Sequence, residues 1–159
     1  IMISSKTLNI DNPKLNCRLK GFANFSPRRI VLDKNLEIKL NSYIFKSANK
    51  NNTIIFHNSS NNRKIKILKR KGITLIKFKV DNKKLFNLKT ILKKLFVLGV
   101  RNLLVEGGDK ITKNLIQNRL IDKFYLFKSP KNLLISKKHM KFTSFNTLNP
   151  PFMSPYIVE

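Results

Sequence analysis

The order of apolar segments along the chain predicts an α/β fold, with a mostly parallel sheet flanked by helices. Short apolar runs bounded by turn residues alternate with longer segments whose apolar residues recur at helical spacing. Around residues 99–128 the order is helix, strand, helix, strand, and helical connections of this kind join parallel strands. The chain has 159 residues, 42% of them hydrophobic, which suits one domain with a packed core.

Five segments are predicted to be strands because they are short, apolar and bounded by Pro, Asn, Ser or Gly. They are 29–33, 52–56, 73–78, 102–105 and 122–128, the last alternating apolar with polar residues before Pro130. The Lys-, Asn- and Ser-rich segments 46–52 and 57–62 are expected to be solvent-exposed loops without a chemical role.

Three segments are predicted to be helices: 63–71, 87–98 and 110–120. In the second, apolar residues follow helical spacing, Asn87 suits the N-cap and Gly99 the stop. In the third, apolar side chains share one face, at Ile111, Leu115, Ile116 and Leu120. The tail 137–159 contains three prolines and shows no clear period.

The net charge is +25, from 33 basic and 8 acidic residues. Such a charge attracts nucleic acid, so a basic nucleic-acid-binding module is one alternative function. The lysines are spread over the whole chain, however, and the abundance of Lys, Asn, Ile and Phe is also typical of an AT-rich coding sequence. The phenylalanines lie mainly in apolar periodic runs rather than among basic residues, where base stacking would need them. The charge favours anionic ligands, including phosphorylated metabolites.

The chain has one cysteine, Cys17, and two histidines, His57 and His139. This count excludes an internal disulfide framework and a Cys/His zinc pattern, so no metal site is expected. No apolar run reaches the roughly 18 residues of a membrane helix. We expect a cytoplasmic protein with a single structural thiol.

The stretch LLVEGGDK places an acid and two glycines directly after a predicted strand. Glu106 would stand at the carboxyl end of that strand, while Gly107 and Gly108 would permit a sharp turn and a close ligand. The helix that follows Asp109 would offer unpaired N–H groups to a phosphate. An ordinary strand-to-helix turn, with Asp109 as a favourable N-terminal acid, is equally open. The glycine spacing fits neither a Walker loop nor the dinucleotide fingerprint.

A second polar group of residues lies within SSKTLNIDNPKLNCRL, at 4–19. Residues 9–13 are predicted to form a loop that Pro13 stiffens. Thr7 and Asp11 offer a hydroxyl and a carboxylate, and Arg18, in a predicted extended segment 15–19, suits bidentate binding of phosphate. A surface turn with a solvated arginine is the alternative.

Four motifs occur in a fixed order: T-x-x-x-D-x-P-x-L-x-x-R, P-x-R-I-V-L-D, G-V-x-x-L-L-V-E-G-G and L-I-D-K-F-Y-L-F-x-S-P. Together they span 4–130, and the chain resembles the reductase domain of bacterial riboflavin biosynthesis proteins, the C-terminal half of a bifunctional deaminase–reductase. The resemblance implies a dihydrofolate-reductase-like three-layer fold. It also implies NADPH-dependent reduction of the ribosyl group of 5-amino-6-(5-phosphoribosylamino)uracil to a ribityl chain.

The resemblance assigns substrate contacts to Leu15, Arg18 and Glu106, with Arg18 suited to the 5-phosphate. It assigns NADPH contacts to Thr7 and Asp11, and Asp11 is also the best local candidate for handling a proton. The remaining expected cofactor contacts are Lys34, Gly107, Gly108, Asp109, Lys110, Ile111 and Thr112. Lys34 would either face the 2′-phosphate of NADPH or be solvated.

Members of this family carry a further strand and helix, and often a zinc deaminase domain, before the point that matches Ile1. We therefore expect 1–159 to be a single, N-terminally incomplete reductase domain. A homodimer is expected by the same resemblance. A decayed reductase fold without activity is a further alternative.

Overall fold

The computed structural model describes residues 1–106 and 108–125. Within them the sheet has four strands, all parallel, in the order β1-β2-β3-β4. The strands are β1 Met2–Ser4, β2 Arg29–Leu32, β3 Thr53–His57 and β4 Thr74–Lys77. Because consecutive strands are parallel neighbours, each connection has to return along the outside of the sheet, and the helices lie in these connections.

The helices in these ranges are α1 Ser5–Asp11, α2 Tyr43–Lys46, α3 Asn62–Arg70, α4 Leu88–Val97 and α5 Asp109–Gln117. Four of them begin at a side chain that accepts a hydrogen bond from a main-chain N–H of the first turn: Ser4, Ser42, Asn61 and Asn87. Each such cap satisfies a donor that the helix itself leaves unpaired. The fifth helix, α5, begins at Gly108, which has no side chain to serve as a cap.

Two hydrophobic clusters lie on opposite faces of the sheet. One joins Ile3, Val31 and Ile55 to Leu8 of α1 and Leu68 of α3, with Ile44 of α2. The other joins Met2, Ile30, Ile54 and Phe56 to Leu88, Ile91 and Leu95 of α4 and Leu115 of α5. Alternate residues of each strand thus face opposite helix layers. This three-layer arrangement confirms the predicted α/β fold.

The predicted elements between residues 29 and 120 are confirmed, with ends that shift by one to three residues, apart from segment 102–105. That segment forms an isolated parallel bridge, Val105 with Met2, rather than a regular strand. Met2 N donates to Leu104 O at 2.8 Å, and Glu106 N donates to Met2 O at 3.0 Å. The segment therefore lies beside β1. Most of the predicted strand 122–128, and the whole tail 137–159, lie outside the described residues.

The predictions for the first 19 residues are wrong in three places. A strand, β1, stands at 2–4, where none was predicted, because three residues are too few to show a period. Residues 9–11 belong to α1 rather than to a loop, and the helix ends at Asn12, which is left-handed with φ 44°. Segment 15–19 is irregular rather than extended, with Leu15 at φ 49°.

The segment 46–52 is more than a solvated loop. The buried Arg29 guanidinium donates to Ser47 Oγ at 2.6 Å, to Ser47 O at 3.2 Å and to Asn52 Oδ1 at 2.9 Å. We call these three residues the Arg29 cluster. It fastens the loop to the start of β2, and the lysine and asparagine composition gave no sign of this. Among the helices described, none is long and apolar enough to cross a membrane.

Candidate active site

A cavity of about 340 Å³ lies beside the segment that bridges to β1. It is lined by Ile1, Pro13, Lys14, Leu15, Asn16, Arg18 and Glu106. All three residues that the sequence predicted to contact a substrate, Leu15, Arg18 and Glu106, therefore line one cavity. They come from two segments that are far apart in the sequence, and the parallel sheet brings those segments together.

The loop that follows α1 is fastened at both ends. At one end, Asn12 Oδ1 accepts from the Tyr43 N–H at 2.8 Å. At the other, the Cys17 N–H donates to Ser26 Oγ at 3.1 Å. Between them the Leu15 side chain packs against the first hydrophobic cluster. We call residues 12–18 the cavity loop, and these contacts fix the direction of its polar side chains.

Leu15 adopts a left-handed backbone conformation, with φ 49°. This conformation is uncommon for any residue that carries a Cβ, and it persists only where surrounding contacts enforce it. Here the partly buried side chain and the Cys17 hydrogen bond enforce it. The turn lets Leu15 contact the core and also line the cavity, together with Asn16 and Arg18.

Opposite charges meet at this cavity. The Arg18 side chain is exposed and supplies a guanidinium, and Glu106 is exposed and supplies a carboxylate. A guanidinium binds a phosphate with two parallel hydrogen bonds, whereas a carboxylate accepts from hydroxyl or N–H groups. The lining thus suits a ligand with an anionic end and a neutral, donor-bearing end.

Sequence reasoning missed two polar residues of the lining. Lys14 lies with its Nζ 5.6 Å from the centroid of the Tyr43 ring, a cation–π distance. Asn16 places its Oδ1 where it is buried and has no hydrogen-bond partner among the described residues. The position of Asn16 within the motif that ends at Arg18 was the available signal, since both side chains come from one short loop.

The predicted cofactor residues of α1 lie outside the lining of this cavity. Thr7 is in the first turn, where its N–H donates to Ser4 Oγ at 3.1 Å and its hydroxyl is 3.0 Å from the same oxygen. Asp11 is exposed at the last position of the helix. Residues four apart share a helix face, so the two side chains lie on the same side of α1.

Lys34 lies in the turn after β2, at the carboxyl end of the strand. Asp33 holds this turn, because its carboxylate accepts from the Glu37 N–H at 2.7 Å and from the Ile38 N–H at 2.8 Å. Burial raises the pKa of Asp33, and these two hydrogen bonds act against that rise. Lys34 O accepts from the Asn58 N–H at 2.8 Å, which joins the turn to the end of β3.

The start of α5 is open. Gly108 has φ −71° and ψ 169°, a conformation open to any residue, so a sharp turn does not require glycine there. A Cβ placed on Gly108 would meet nothing within 4 Å among the described residues. The space close to the main chain of Gly108 is therefore open to a ligand, beside the exposed Lys110. Gly107, and the side chain of Asp109, lie outside the described part.

The next residues of α5 divide between the core and the helix start. The Ile111 side chain packs against the second hydrophobic cluster, and its N–H donates to Gly108 O at 3.1 Å, so neither group is left for a ligand. Thr112 is partly buried, and its N–H is 3.3 Å from Gly108 O. A ligand at this end would therefore meet main-chain N–H groups and the side chain of Lys110 rather than Ile111.

His57 ends β3, next to the Lys34 turn, and is buried, so the prediction that a solvent-exposed loop begins at this residue is wrong. It is 4% exposed, and its Nδ1 has no hydrogen-bond partner among the described residues. Burial lowers the pKa of His57, and the nearby cations of Lys77 and Lys69 lower it further. The imidazole is therefore neutral where an exposed histidine would begin to protonate.

A parallel sheet between two helix layers, with a polar cavity beside the segment that bridges to β1, defines a three-layer α/β domain, in agreement with the dihydrofolate-reductase-like fold that the motifs imply. The family model described as the RibD C-terminal domain matches residues 1–133. The chain therefore belongs to this family, as its motifs predicted.

Curated relatives match over most of this chain. It is 28% identical over 141 residues to the riboflavin biosynthesis protein RibD of Actinobacillus pleuropneumoniae, covering 89% of this chain and 36% of that protein. It is 30% identical over 131 residues to RibD of Aquifex aeolicus, covering 82% and 35%. The chain thus spans about a third of the length of these two relatives.

A third relative carries a reductase name. The chain is 30% identical over 142 residues to the 2,5-diamino-6-ribosylamino-4(3H)-pyrimidinone 5′-phosphate reductase of Debaryomyces hansenii, covering 82% of this chain and 58% of that protein. Among solved structures, RibD of Acinetobacter baumannii superposes with a TM-score of 0.61 at 18% identity, covering 90% of this chain and 39% of that one. This superposition supports the fold.

Proposed function

We propose that this chain catalyses the NADPH-dependent reduction of the ribosyl group of 5-amino-6-(5-phosphoribosylamino)uracil to a ribityl chain, a step of riboflavin biosynthesis. The observation that carries the proposal is the cavity, which joins Leu15, Arg18 and Glu106. Family membership and the reductase name of the fungal relative support it. The +25 charge of the chain suits two phosphorylated reactants.

The residues of the cavity take distinct roles in the proposal. Arg18 binds the 5-phosphate, because an exposed guanidinium at the cavity wall offers two parallel donors. Glu106 accepts from hydroxyl or N–H groups at the other side of the ligand. Leu15 supplies an apolar wall whose position the core fixes. The enzyme thus orients the sugar carbon for reduction rather than activating it with a strong acid.

The cofactor half is proposed to lie along the carboxyl ends of β1 and β2 and the start of α5. The open space at Gly108 fits a ligand that approaches the main chain, and Lys110 adds a cation there. Thr7, Asp11 and Lys34 would hold the rest of the dinucleotide, with Lys34 toward the 2′-phosphate. Bound NADPH would supply the hydride. Asp11, exposed at the end of α1, is the proposed group for proton exchange with water.

The direct test is turnover by the full chain. Nicotinamide oxidation is followed with 5-amino-6-(5-phosphoribosylamino)uracil and, in parallel, with the 2,5-diamino pyrimidinone that the fungal relative's name specifies. We expect oxidation of NADPH, slower oxidation of NADH, and a ribityl product identified by mass spectrometry. Ribose 5-phosphate alone is the control and should not be reduced. A folded chain that consumes neither cofactor with either pyrimidine contradicts the proposal.

A homodimer in the cytoplasm completes the proposal. Light scattering of the full chain measures the first, and cell fractionation the second. A monomer at the concentrations used for turnover would remove the dimer from the proposal.

A further inference from the structure

We propose that Asn16 determines substrate specificity in this cavity, by accepting a hydrogen bond from a neutral donor on the bound substrate. The donor is either an N–H of the pyrimidine or a hydroxyl of the ribose. This inference rests on the proposed function, and it adds a residue that neither the motifs nor the family resemblance assigned. Its starting point is that Asn16 Oδ1 is buried and unpartnered among the described residues.

Buried oxygen acceptors are rarely left unpaired, because they lose their hydrogen bonds to water and gain nothing in exchange. Two other partly buried asparagine side chains, those of Asn9 and Asn52, are paired. Asn52 Oδ1, for example, accepts from Arg29, from the Asn49 N–H and from the Thr53 hydroxyl. Asn16 differs from these and lines the cavity that contains Arg18 and Glu106. A ligand in that cavity is therefore the natural source of the missing donor.

The backbone on both sides of Asn16 is held before any ligand arrives, and the amide, which has no partner to lose, turns its buried oxygen toward the cavity when a donor binds. The Leu15 side chain is anchored in the core, and the Cys17 N–H is bonded to Ser26 Oγ at 3.1 Å, so the residues on both sides of Asn16 are fixed. The uncommon left-handed conformation of Leu15 is the kind of local strain that surrounding structure sustains at binding sites. An acceptor on a fixed backbone discriminates well, since a ligand that presents another acceptor at this point leaves two buried oxygens facing each other.

Three of the four polar side chains of the lining then take different roles. Arg18 takes the anionic phosphate, Glu106 accepts with a full negative charge, and Asn16 accepts without one. A neutral acceptor selects for a donor without attracting cations, so it contributes specificity that neither charged residue can supply. The position of Asn16 between Leu15 and Arg18 in the same loop places this acceptor near the phosphate end of the cavity.

Asn16→Leu in the full chain tests the inference, because leucine has a similar size and lacks the oxygen. We expect the KM for the pyrimidine substrate to rise about tenfold or more, with NADPH affinity unchanged. We expect the Tm of the ligand-free protein to stay the same or to rise, since an unpaired buried oxygen is replaced by an apolar group. Asn16→Thr, which keeps a neutral acceptor, should recover part of the lost affinity.

Asn52→Leu is the matched control. It removes an amide that is already paired, so it should lower the Tm and leave the substrate KM of the folded protein unchanged. If Asn16→Leu also lowers the Tm and leaves the KM unchanged, Asn16 is a structural residue and the inference is wrong. Equal substrate KM values for Asn16→Leu and Asn16→Thr would also overturn the inference.

Ribose 5-phosphate locates the donor. Protection is measured as the rise in Tm on adding ribose 5-phosphate. If this rise is smaller for Asn16→Leu than for the wild type, the donor is on the sugar. Equal protection, together with a raised pyrimidine KM, places it on the base. If the wild type reduces neither pyrimidine, the proposed function fails by itself. The rise in Tm on adding the pyrimidine then replaces the KM: a smaller rise for Asn16→Leu than for the wild type supports the role of Asn16, and an equal rise overturns it.

Discussion

The Arg29 cluster and the cavity loop differ in whether their buried polar groups have hydrogen-bond partners. Arg29 is 5% exposed, and its guanidinium reaches three acceptors on Ser47 and Asn52. Asn52 in turn donates to Ser47 O at 3.0 Å. In the cavity loop, Asn16 has a buried oxygen without a partner among the described residues. Paired polar groups hold the fold together, whereas an unpaired one marks where a ligand would complete the structure.

The Arg29 cluster works without a carboxylate among these contacts. Burial lowers the pKa of Arg29, yet a guanidinium keeps its proton in proteins. Its charge is balanced by carbonyl, hydroxyl and amide oxygens of the loop. The cost of burying the charge is therefore met by hydrogen bonds that also fix the loop conformation before β3.

The largest effect is expected from Arg29→Met, which keeps the volume and removes every donor of the guanidinium. Three hydrogen bonds from a buried charged group are then lost, and we expect the free energy of unfolding to fall by about 3 kcal/mol. Urea denaturation followed by circular dichroism measures this. Arg63→Met, at an exposed position of α3, is the control and should change stability by less than about 0.5 kcal/mol. Equal stability of the two variants would remove the structural role of the Arg29 cluster.

The next effect tests the packing around the same loop with two glycines that share one backbone conformation. Gly72 and Gly99 each follow a helix, and both have φ +86°. A Cβ on Gly72 would lie 2.9 Å from main-chain atoms of Asn49 and Lys50, whereas one on Gly99 would meet nothing within 4 Å. Gly99→Ala should cost about 1 kcal/mol from backbone strain alone, and Gly72→Ala about 3 kcal/mol because the loop must also move.

Thermal unfolding of the two alanine variants provides the measurement. A larger fall in Tm for Gly72→Ala sharpens the comparison, because it shows that the loop of the Arg29 cluster is rigid. Equal losses would show instead that this loop moves freely and that its hydrogen bonds do little.

Substitution in the cavity loop should have the opposite effect, with little change in stability and a large change in substrate affinity. Arg18→Ala removes an exposed side chain, so stability should stay within about 0.5 kcal/mol of the wild type. The substrate KM should rise about tenfold or more, since a charge-assisted contact to phosphate is lost. NADPH affinity should be unchanged. Lys20→Ala, at an exposed cation just beyond the loop, controls for the loss of one positive charge. Equal losses of substrate and cofactor affinity in Arg18→Ala would contradict the division of the site.

The spacing of apolar residues was sufficient to predict the helices and strands in which these residues span several turns or a whole strand. Asn87 and Gly99 could be predicted as the ends of α4 because capping and left-handed stops depend on local chemistry. The three residues of β1 carry no period, and their strand exists only because β2 and the bridge at Val105 pair with it. Tertiary pairing of this sort is invisible in a single segment.

The residues of the candidate site also differ in whether the sequence could predict them. The family motifs named Leu15, Arg18 and Glu106, and the cavity unites them. The motifs did not name Asn16, because an unpaired oxygen is a property of the folded surroundings and not of the residue type. They also failed for Arg29, since an arginine at the start of a strand has the same sequence signature whether it is solvated or fully bonded.

The smallest expected effect concerns His57, whose Nδ1, like Asn16 Oδ1, is buried without a partner among the described residues. Its pKa is lowered in the folded chain, from the 6.5 of an exposed histidine, mainly by burial and also by Lys77 and Lys69. A backbone hydrogen bond with Ser59 and the charge of Asp33 act in the opposite direction. As the pH falls through about 6.5, the unfolded chain takes up the proton first. Protonation therefore favours unfolding, and stability should fall from about pH 8 to about pH 5.5.

His57→Gln should flatten this pH dependence of the Tm, because glutamine carries no titrating group. Lys77→Gln removes one repelling cation and keeps the imidazole, so its curve should fall between the two. Asp33 contributes with the opposite sign at more acidic pH, since its raised pKa lets the folded chain take up a proton before the unfolded one. Parallel curves for the wild type and His57→Gln would show that folding does not change the pKa of the imidazole, which contradicts the prediction. Such a result would not bear on the unpaired Oδ1 of Asn16, whose proposed role is measured by the substrate KM and not by pH.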